Sequence, residues 1–262
     1  GSRSTAVGFQ SLEAQNPATA ADMYNVAVGY NAGVAVTTGT NNTLVGGLAG
    51  DAIVGGYRNV GFGGEALGAC IEGYNNTACG YDCMSGVTSG YNNVGLGRWA
   101  GTANGPGGVV TTENNQLVLG DGNTANAHVQ VDWTVASDAR DKTDFTALDL
   151  GLDFVNALAP VTYKWDKRIN YVDATDPAVD LNTVTTDGTH KEDWLDIGFK
   201  AQEVEALEIA AGYKIADKTN LTTSLTGDGK QYGLQYSKFV PILVKAVQEL
   251  SAEVEELKQK AH

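Results

Sequence analysis

A serine and a lysine stand five residues apart at a point where the composition of the chain changes. They are Ser137 and Lys142, in the run Ser137-Asp138-Ala139-Arg140-Asp141-Lys142. A serine hydroxyl becomes a nucleophile when a base takes its proton, and an uncharged lysine can be that base. With a reference pKa of about 10.4, an uncharged lysine at pH 7 costs on the order of 4–5 kcal/mol, which burial can offset. The pair predicts acyl-transfer chemistry, although on spacing alone two ordinary linker residues are the simpler interpretation.

The two sides of this boundary differ in composition. Residues before Ser137 include 26 of the 33 glycines and no lysine. A length of 262 residues favours one or two domains, and we place the division between 1–136 and 137–262. The net charge of −14 argues against nucleic acid or an anionic membrane as the main partner. No apolar run approaches the ~20 residues needed to span a bilayer, so no membrane insertion is expected.

Glycine and asparagine recur every 17 residues through the first half. The anchor glycines are preceded at four residues by asparagines: Gly29, Gly46, Gly63, Gly80 and Gly97; Asn25, Asn42, Asn59, Asn76 and Asn93. Each unit predicts a short strand ending at the glycine, a tight bend, a second short strand and a glycine–asparagine turn. One such unit cannot bury its apolar face alone, so the repeat predicts a stacked β-roll or β-solenoid.

The interior of so small a coil must be thin. The apolar residue before each anchor glycine and the small residue three positions after it are predicted to face inward. On this view Cys79 and Cys83 replace valine and alanine as small hydrophobic residues. Together with Cys70 they make an odd number without metal-ligand spacing. Gly120-Asp121-Gly122-Asn123 is a single partial echo of a calcium-binding repeat, so we assign no metal and no cofactor.

The end of the repeat is less regular. The stretch 102–113 predicts a loop or an outward insertion because it contains Gly105-Pro106-Gly107-Gly108. The segments 116–120 and 128–131 are typical of closing strands, and His128 is expected on the surface. The chain enters the repeat in mid-pattern after Gly1-Ser2, which indicates a fragment of a longer protein.

The second half has the pattern of a mixed α+β domain. We predict a helix over 147–159 ended by Pro160, since a proline cannot continue a helix. The other predicted elements, in chain order, are a strand at 161–165, a loop or protruding hairpin at 166–195, a strand running into a helix at 197–205, and a hairpin around Gly227-Asp228-Gly229.

The last helix carries a heptad seam over about 238–261. Its apolar positions alternate steps of three and four: Val240, Leu243, Val247, Leu250, Val254 and Leu257. This spacing predicts a coiled coil. Valine at a with leucine at d favours two strands, so the seam by itself does not establish a trimer. The alternative is one amphipathic helix packed with this face on its own domain.

The repeats resemble the left-handed β-roll head repeats of trimeric bacterial adhesins, with the core Asn-x-apolar-x-Gly. Similar repeats occur in phage tail fibres. The resemblance covers about residues 5–120 and implies three rolls side by side in a homotrimer. It carries no ligand specificity, but it leaves room for a host-cell surface receptor bound through the fibre.

The second half resembles the C-terminal intramolecular chaperone domain, peptidase family S74, of phage tailspikes, tail fibres and neck appendages. Four motifs occur in the family's order: Ser137-Asp138-x-Arg140-x-Lys142; Leu158-Ala159-Pro160-Val161-Thr162-Tyr163-Lys164-Trp165; Ile197-Gly198-Phe199-x-Ala201-Gln202-Glu203-Val204; and Tyr236 with Leu243-x-x-Ala246-x-Gln248-Glu249-Leu250. The resemblance implies that the chain cuts itself between Ala136 and Ser137. Ser137 is then the nucleophile, Lys142 the general base, and Asp138, Arg140 and Gln202 have supporting roles.

The expected protein is a trimeric phage fibre fragment, folded in the host cytoplasm and carried on the virion. Its C-terminal domain would align three copies and then release itself by a single cut. One alternative is an adhesin-like binding head with a non-cleaving C-terminal clamp. Another is a general Ser-Lys protease acting on other proteins, for which we expect no substrate.

Overall fold

A stack of short parallel strands forms the first half of the chain. The computed structural model describes residues 3–16, 21–103, 105–172 and 179–261. Each coil of the repeat contributes one three-residue strand: β1 Thr5–Val7, β2 Val26–Val28, β3 Thr43–Val45, β4 Val60–Phe62, β5 Thr77–Cys79, β6 Val94–Leu96 and β7 Leu117–Leu119. The strands form one sheet in sequence order, and every neighbouring pair is parallel. The predicted β-solenoid is confirmed.

Only one strand of each predicted pair forms. The rest of each coil is a series of turns, because non-glycine residues adopt left-handed backbone conformations there, such as Leu48 and Glu65, both at φ 60°. Left-handed residues interrupt an extended chain. The prediction of a second strand per coil is therefore wrong, although backbone hydrogen bonds still join successive coils along these turns.

The middle residue of each strand faces the interior. Ala27, Leu44 and Ala78 are fully buried, whereas the residues just before the anchor glycines, such as Phe62, Cys79 and Leu96, are exposed. The inward assignment of that position, and of Cys79, is wrong by one residue. Both faces of these strands are apolar, so alternation alone could not tell them apart. The small position after the glycine is inward as predicted, with Cys83 buried.

The repeating glycine allows adjacent coils to approach closely. Gly46 has φ +139°, and a Cβ on it would lie 2.4 Å from the carbonyl oxygen of Gly63 in the next coil. The same contact recurs along the stack, at Gly29, Gly63 and Gly80. A side chain at these positions would both strain the backbone and clash with it. This explains the strict 17-residue recurrence.

The repeating asparagines form a buried ladder. All five are fully buried, and the side-chain amide of each donates to a backbone carbonyl near the end of its own coil, as Asn76 Nδ2 does to Gly90 at 2.8 Å. The Oδ1 of each accepts a hydrogen bond from the backbone amide of the next, for example Asn93 to Asn76 at 3.1 Å. Backbone groups that the turns leave unpaired are satisfied in this way.

Two segments of the second half of the chain pack with the roll. The described parts of 167–190 and 226–231 form one compact unit with residues up to 125. Lys167 Nζ donates to the Gly122 carbonyl at 2.7 Å, and Arg168 donates to the carbonyls of Leu181 and Lys230, each at 2.7 Å. The described part of 166–195 holds two 3₁₀ turns, Arg168–Tyr171 and Leu181–Thr183, and no strand.

The remaining described residues form a second unit with its own small core. Its elements are α1 Leu152–Ala157, β8 Val161–Tyr163, β9 Asp196–Gly198, α2 Ala201–Ala210, β10 Thr223–Leu225, β11 Tyr232–Leu234 and α3 Phe239–Lys260. β8 pairs antiparallel with β9, and β10 with β11. Leu150, Phe154, Val204, Phe239 and Ile242 make the buried cluster. The α+β prediction is confirmed.

The first helix is shorter than predicted. α1 begins after Gly151, whose backbone is not helical, and it ends at Ala157 because Leu158 is already extended. Leu148 and Leu150 still reach the core from an extended chain. The apolar spacing that predicted a helix from residue 147 is thus satisfied without helical turns.

Residues 126–137 are extended and exposed. The predicted closing strand at 128–131 is wrong, because this segment makes no ladder with any described strand. Val131 and Trp133 are 71% and 72% exposed. His128 is exposed, as predicted.

Candidate active site

A single 3₁₀ turn brings the serine and the lysine together. The turn spans Ala139–Asp141, directly between Ser137 and Lys142. The carboxylate of Asp138 accepts a hydrogen bond from the Arg140 backbone amide at 2.9 Å, and so caps the turn at its start. The Lys142 amide closes it by donating to the Ala139 carbonyl at 3.3 Å. A five-residue separation therefore puts both side chains on one side of a compact loop.

The two functional atoms are within hydrogen-bonding distance. Lys142 Nζ lies 2.6 Å from Ser137 Oγ. This is the contact that a lysine must make to take a proton from a serine hydroxyl. Both residues are exposed. The geometry of a proton-transfer pair thus exists within one chain, open to water.

Asp138 and Arg140 hold the loop from its outer side. The Arg140 guanidinium donates to both carboxylate oxygens of Asp138, with the shortest contact at 2.6 Å. Hydrogen bonds from Arg140 lower the pKa of Asp138, and those to Asp138 raise the pKa of Arg140. The two charges are paired with each other. Neither side chain hydrogen-bonds Ser137 or Lys142 among the described residues, which fits a positioning role.

The bond expected to be cut is accessible. Ala136 and Ser137 end the extended, exposed segment that begins at residue 126. A peptide bond held in a helix or a sheet would have to be freed before attack, whereas this one is already without such partners.

Gln202 stands apart from this loop in its contacts. It is an exposed residue in the first turn of α2, and among the described residues no hydrogen bond joins it to Ser137 or Lys142. Its supporting role stays a prediction.

Glu208 is a buried acid that the sequence reading missed. It is 1% exposed on α2, and its carboxylate accepts hydrogen bonds from the Thr222 amide at 2.5 Å, from Thr222 Oγ1 at 2.7 Å and from Thr223 Oγ1 at 2.5 Å. Burial raises the pKa of Glu208, but the hydrogen bonds from Thr223 and Thr222 outweigh it and lower the pKa. Its spacing of four from Val204, on one helix face, was the available signal.

A family comparison identifies the segment that contains this loop. Residues 137–213 match the family model named peptidase S74 and described as the chaperone of endosialidase. The segment is a chaperone-of-endosialidase domain. The match begins at Ser137, so the N-terminus of the chaperone domain coincides with the paired serine. The family is one of self-cleaving peptidases. The chaperone domain and the β-solenoid together fit a phage fibre with a C-terminal chaperone.

The matched stretch is shorter than the resemblance suggested. It ends at Tyr213, so β10, β11 and α3 lie beyond it. The search of curated proteins and the search of solved structures each found no match to this chain. None of the helices in the described residues is long and apolar enough to cross a membrane.

Proposed function

We propose that this chain is a fragment of a homotrimeric phage fibre that folds under its own C-terminal chaperone and then cuts itself between Ala136 and Ser137. The observation that carries the proposal is the 2.6 Å contact between Lys142 Nζ and Ser137 Oγ, at the first residue of the matched domain. The fibre would be carried on the virion.

The proposed reaction proceeds in two acyl transfers. Ser137 Oγ attacks the carbonyl carbon of Ala136 while Lys142 takes the hydroxyl proton. The C–N bond then breaks, and Lys142 returns the proton to the amide nitrogen, which becomes the free amine of Ser137. An ester now links Ala136 to Ser137 Oγ. Water hydrolyses it, leaving a carboxylate on Ala136 and restoring the hydroxyl of Ser137.

Assembly would control the reaction through water. A lysine exposed to water holds its proton at neutral pH, because its reference pKa is about 10.4. Ser137 and Lys142 are exposed in the single chain. Covering the loop on trimerisation would disfavour the charged ammonium and so generate the base. Cleavage would then follow folding and would leave the fibre kinetically trapped.

The surface of α3 supports association of copies. The helix packs on its own domain through Phe239, Ile242 and Ala246. The six heptad-seam residues are on the other side and are 41–64% exposed. The alternative in which the seam packs on its own domain is therefore wrong. A seam of this kind buries its apolar side chains against the same seam of another copy.

Denaturing gels of four chains test the chemistry. We expect two bands of similar size from the wild type and one full-length band from Ser137→Ala and from Lys142→Met. Lys164→Met, which removes another exposed lysine, is the matched control and should still give two bands. A trimeric wild type that stays full-length under all conditions would instead favour the non-cleaving clamp. Cleavage that survives Lys142→Met would overturn the role of the lysine.

A further inference from the structure

One face of the roll's sheet is apolar and uncovered. Seven strands with two outward residues each give fourteen outward positions, and none of them is charged. The row next to the anchor glycines is apolar throughout: Val7, Val28, Val45, Phe62, Cys79, Leu96 and Leu119. We call these fourteen positions the strand face. Val7 and Phe62 are each 56% exposed, and Leu117 is 60% exposed.

Charged residues of the roll lie elsewhere on the coils. Glu65, Asp82 and Arg98 stand on the bends that follow the strands, and Asp51 and Glu72 lie farther along their coils. The surface is thus divided into charged edges and one uncharged stripe. Monomeric soluble proteins rarely leave a contiguous apolar patch larger than a few hundred Å² exposed. With strands spaced about 4.8 Å apart, the strand face extends over roughly 29 Å.

A parallel sheet of this kind needs cover on both sides. Parallel sheets occur almost only with both faces buried. Here the inner face is filled by the interior of the coils, through residues such as Leu44 and Ala78. Nothing in the described residues of the roll covers the outer face.

The repeat itself indicates what the covering surface is. A partner must present apolar groups with the same spacing as the strands over the whole stack. The strand face of another copy has that spacing by construction, since both derive from the same 17-residue period. An unrelated globular partner has no reason to match it at seven successive strands.

We infer that the strand faces of the three copies pack on one another around the axis of the trimer. This inference rests on the proposed homotrimer and adds the surface through which the rolls meet. It also implies that the register of the three rolls is set by side chains of unequal size in the same row, such as Phe62 beside Val45 and Cys79.

Cys79 is a natural reporter for this contact. It lies on the strand face between Phe62 and Leu96, its partners on the neighbouring strands. It is exposed in the single chain, whereas Cys70 and Cys83 are buried inside the roll. Burial raises the pKa of each buried thiol to about 11, so neither competes for an alkylating reagent.

Alkylation of the assembled full-length chain tests the inference. Native mass spectrometry first establishes the trimer, and iodoacetamide labelling is then followed by peptide mapping. A variant with Ser89→Cys supplies a thiol at an exposed position away from the strands. Each rate is divided by the rate of the same thiol in the denatured chain. We expect Cys79 to react at least tenfold more slowly than the thiol introduced at position 89.

The outcomes separate this inference from the proposed function. A trimer in which Cys79 reacts as fast as the control thiol overturns the strand-face contact and leaves the chaperone-driven trimer standing. A monomer overturns both. A second readout uses Phe62→Asp, with Tyr81→Asp on an exposed bend as its match. We expect the first to lower the thermal stability of the trimer and the second to leave it within about 2 °C.

Discussion

Among single residues, Asp138 determines how often the serine and the lysine meet. Its carboxylate both caps the 3₁₀ turn and pairs with Arg140, while Ser137 and Lys142 hold only each other. The motif predicted that these residues act together. It did not show the turn, because a 3₁₀ turn of three residues leaves no periodic signal.

Replacing Asp138 by alanine should slow self-cleavage without abolishing it. Losing a cap of about 1 kcal/mol lowers the population of the paired geometry, so we expect about a fivefold slower reaction. The rate is measured by quenching samples in SDS over time. Its pH profile should keep its midpoint, because the base is unchanged. Asp141→Ala, in the same turn, should cleave at the wild-type rate; equal slowing by both variants would contradict a specific role for Asp138.

Glu208 gives the second unit a defined response to acid. Hydrogen bonds from Thr223 and Thr222 lower the pKa of Glu208, so the unfolded state binds its proton more readily than the folded state. Stability from this residue is present above its ordinary pKa of about 4.3 and is lost as the pH falls through the lowered folded value.

The variant Glu208→Gln should therefore lose stability near pH 7 and become less sensitive to acid. We expect a loss of about 1–3 kcal/mol, the usual cost of an imperfectly satisfied buried polar group. Urea unfolding followed by tryptophan fluorescence at pH 7 and at pH 4 measures it. Glu203→Gln, exposed on the same helix, should behave as the wild type. An unchanged difference between the two pH values in Glu208→Gln would contradict this role.

Among the elements, the strand stack follows from the sequence more closely than any other. Its glycines recur because a Cβ would meet the backbone of the next coil, so the period could be read directly. Which side of each strand faces inward could not be read, since Ala78 and Cys79 are both small and apolar. Helix α1 was overestimated for a related reason: Leu148 and Leu150 fit a helical spacing but reach the core from an extended chain.

The asparagine ladder should be the most sensitive part of the roll. Asn76→Ala removes the donor to the Gly90 carbonyl and the acceptor for two donors of Asn93. These groups are buried, so we expect a loss of at least about 3 kcal/mol. Thermal unfolding measures it. Asn75→Gly is the control, because Asn75 is exposed and its φ of 56° suits glycine. Equal effects of the two changes would contradict the importance of the ladder.

The exposed seam of α3 should determine the oligomeric state. Leu250→Asp places a charge in the seam and should prevent association while the helix remains folded. Native mass spectrometry and circular dichroism report the two properties. Gln248→Asp adds the same charge at an exposed position outside the seam and should leave the oligomer intact. An intact oligomer in Leu250→Asp would contradict the role of the seam.

For the chain as a whole, the chaperone domain begins at the residue that would carry out the cut. The family match starts at Ser137, the extended segment ends there, and the lysine contact forms there. The boundary and the motif could be predicted from the sequence. The packing of 167–190 and 226–231 with the roll could not, since those segments are polar and lack any periodic pattern.

Intact mass spectrometry of the purified wild-type chain after denaturation tests self-cleavage most directly. We predict two fragments, one ending at Ala136 and one beginning with a free amine at Ser137, and a single full-length mass from Ser137→Ala. A wild-type chain that assembles as a trimer but retains one uncut mass, or that is cut at any other bond, would contradict self-cleavage by this serine and lysine.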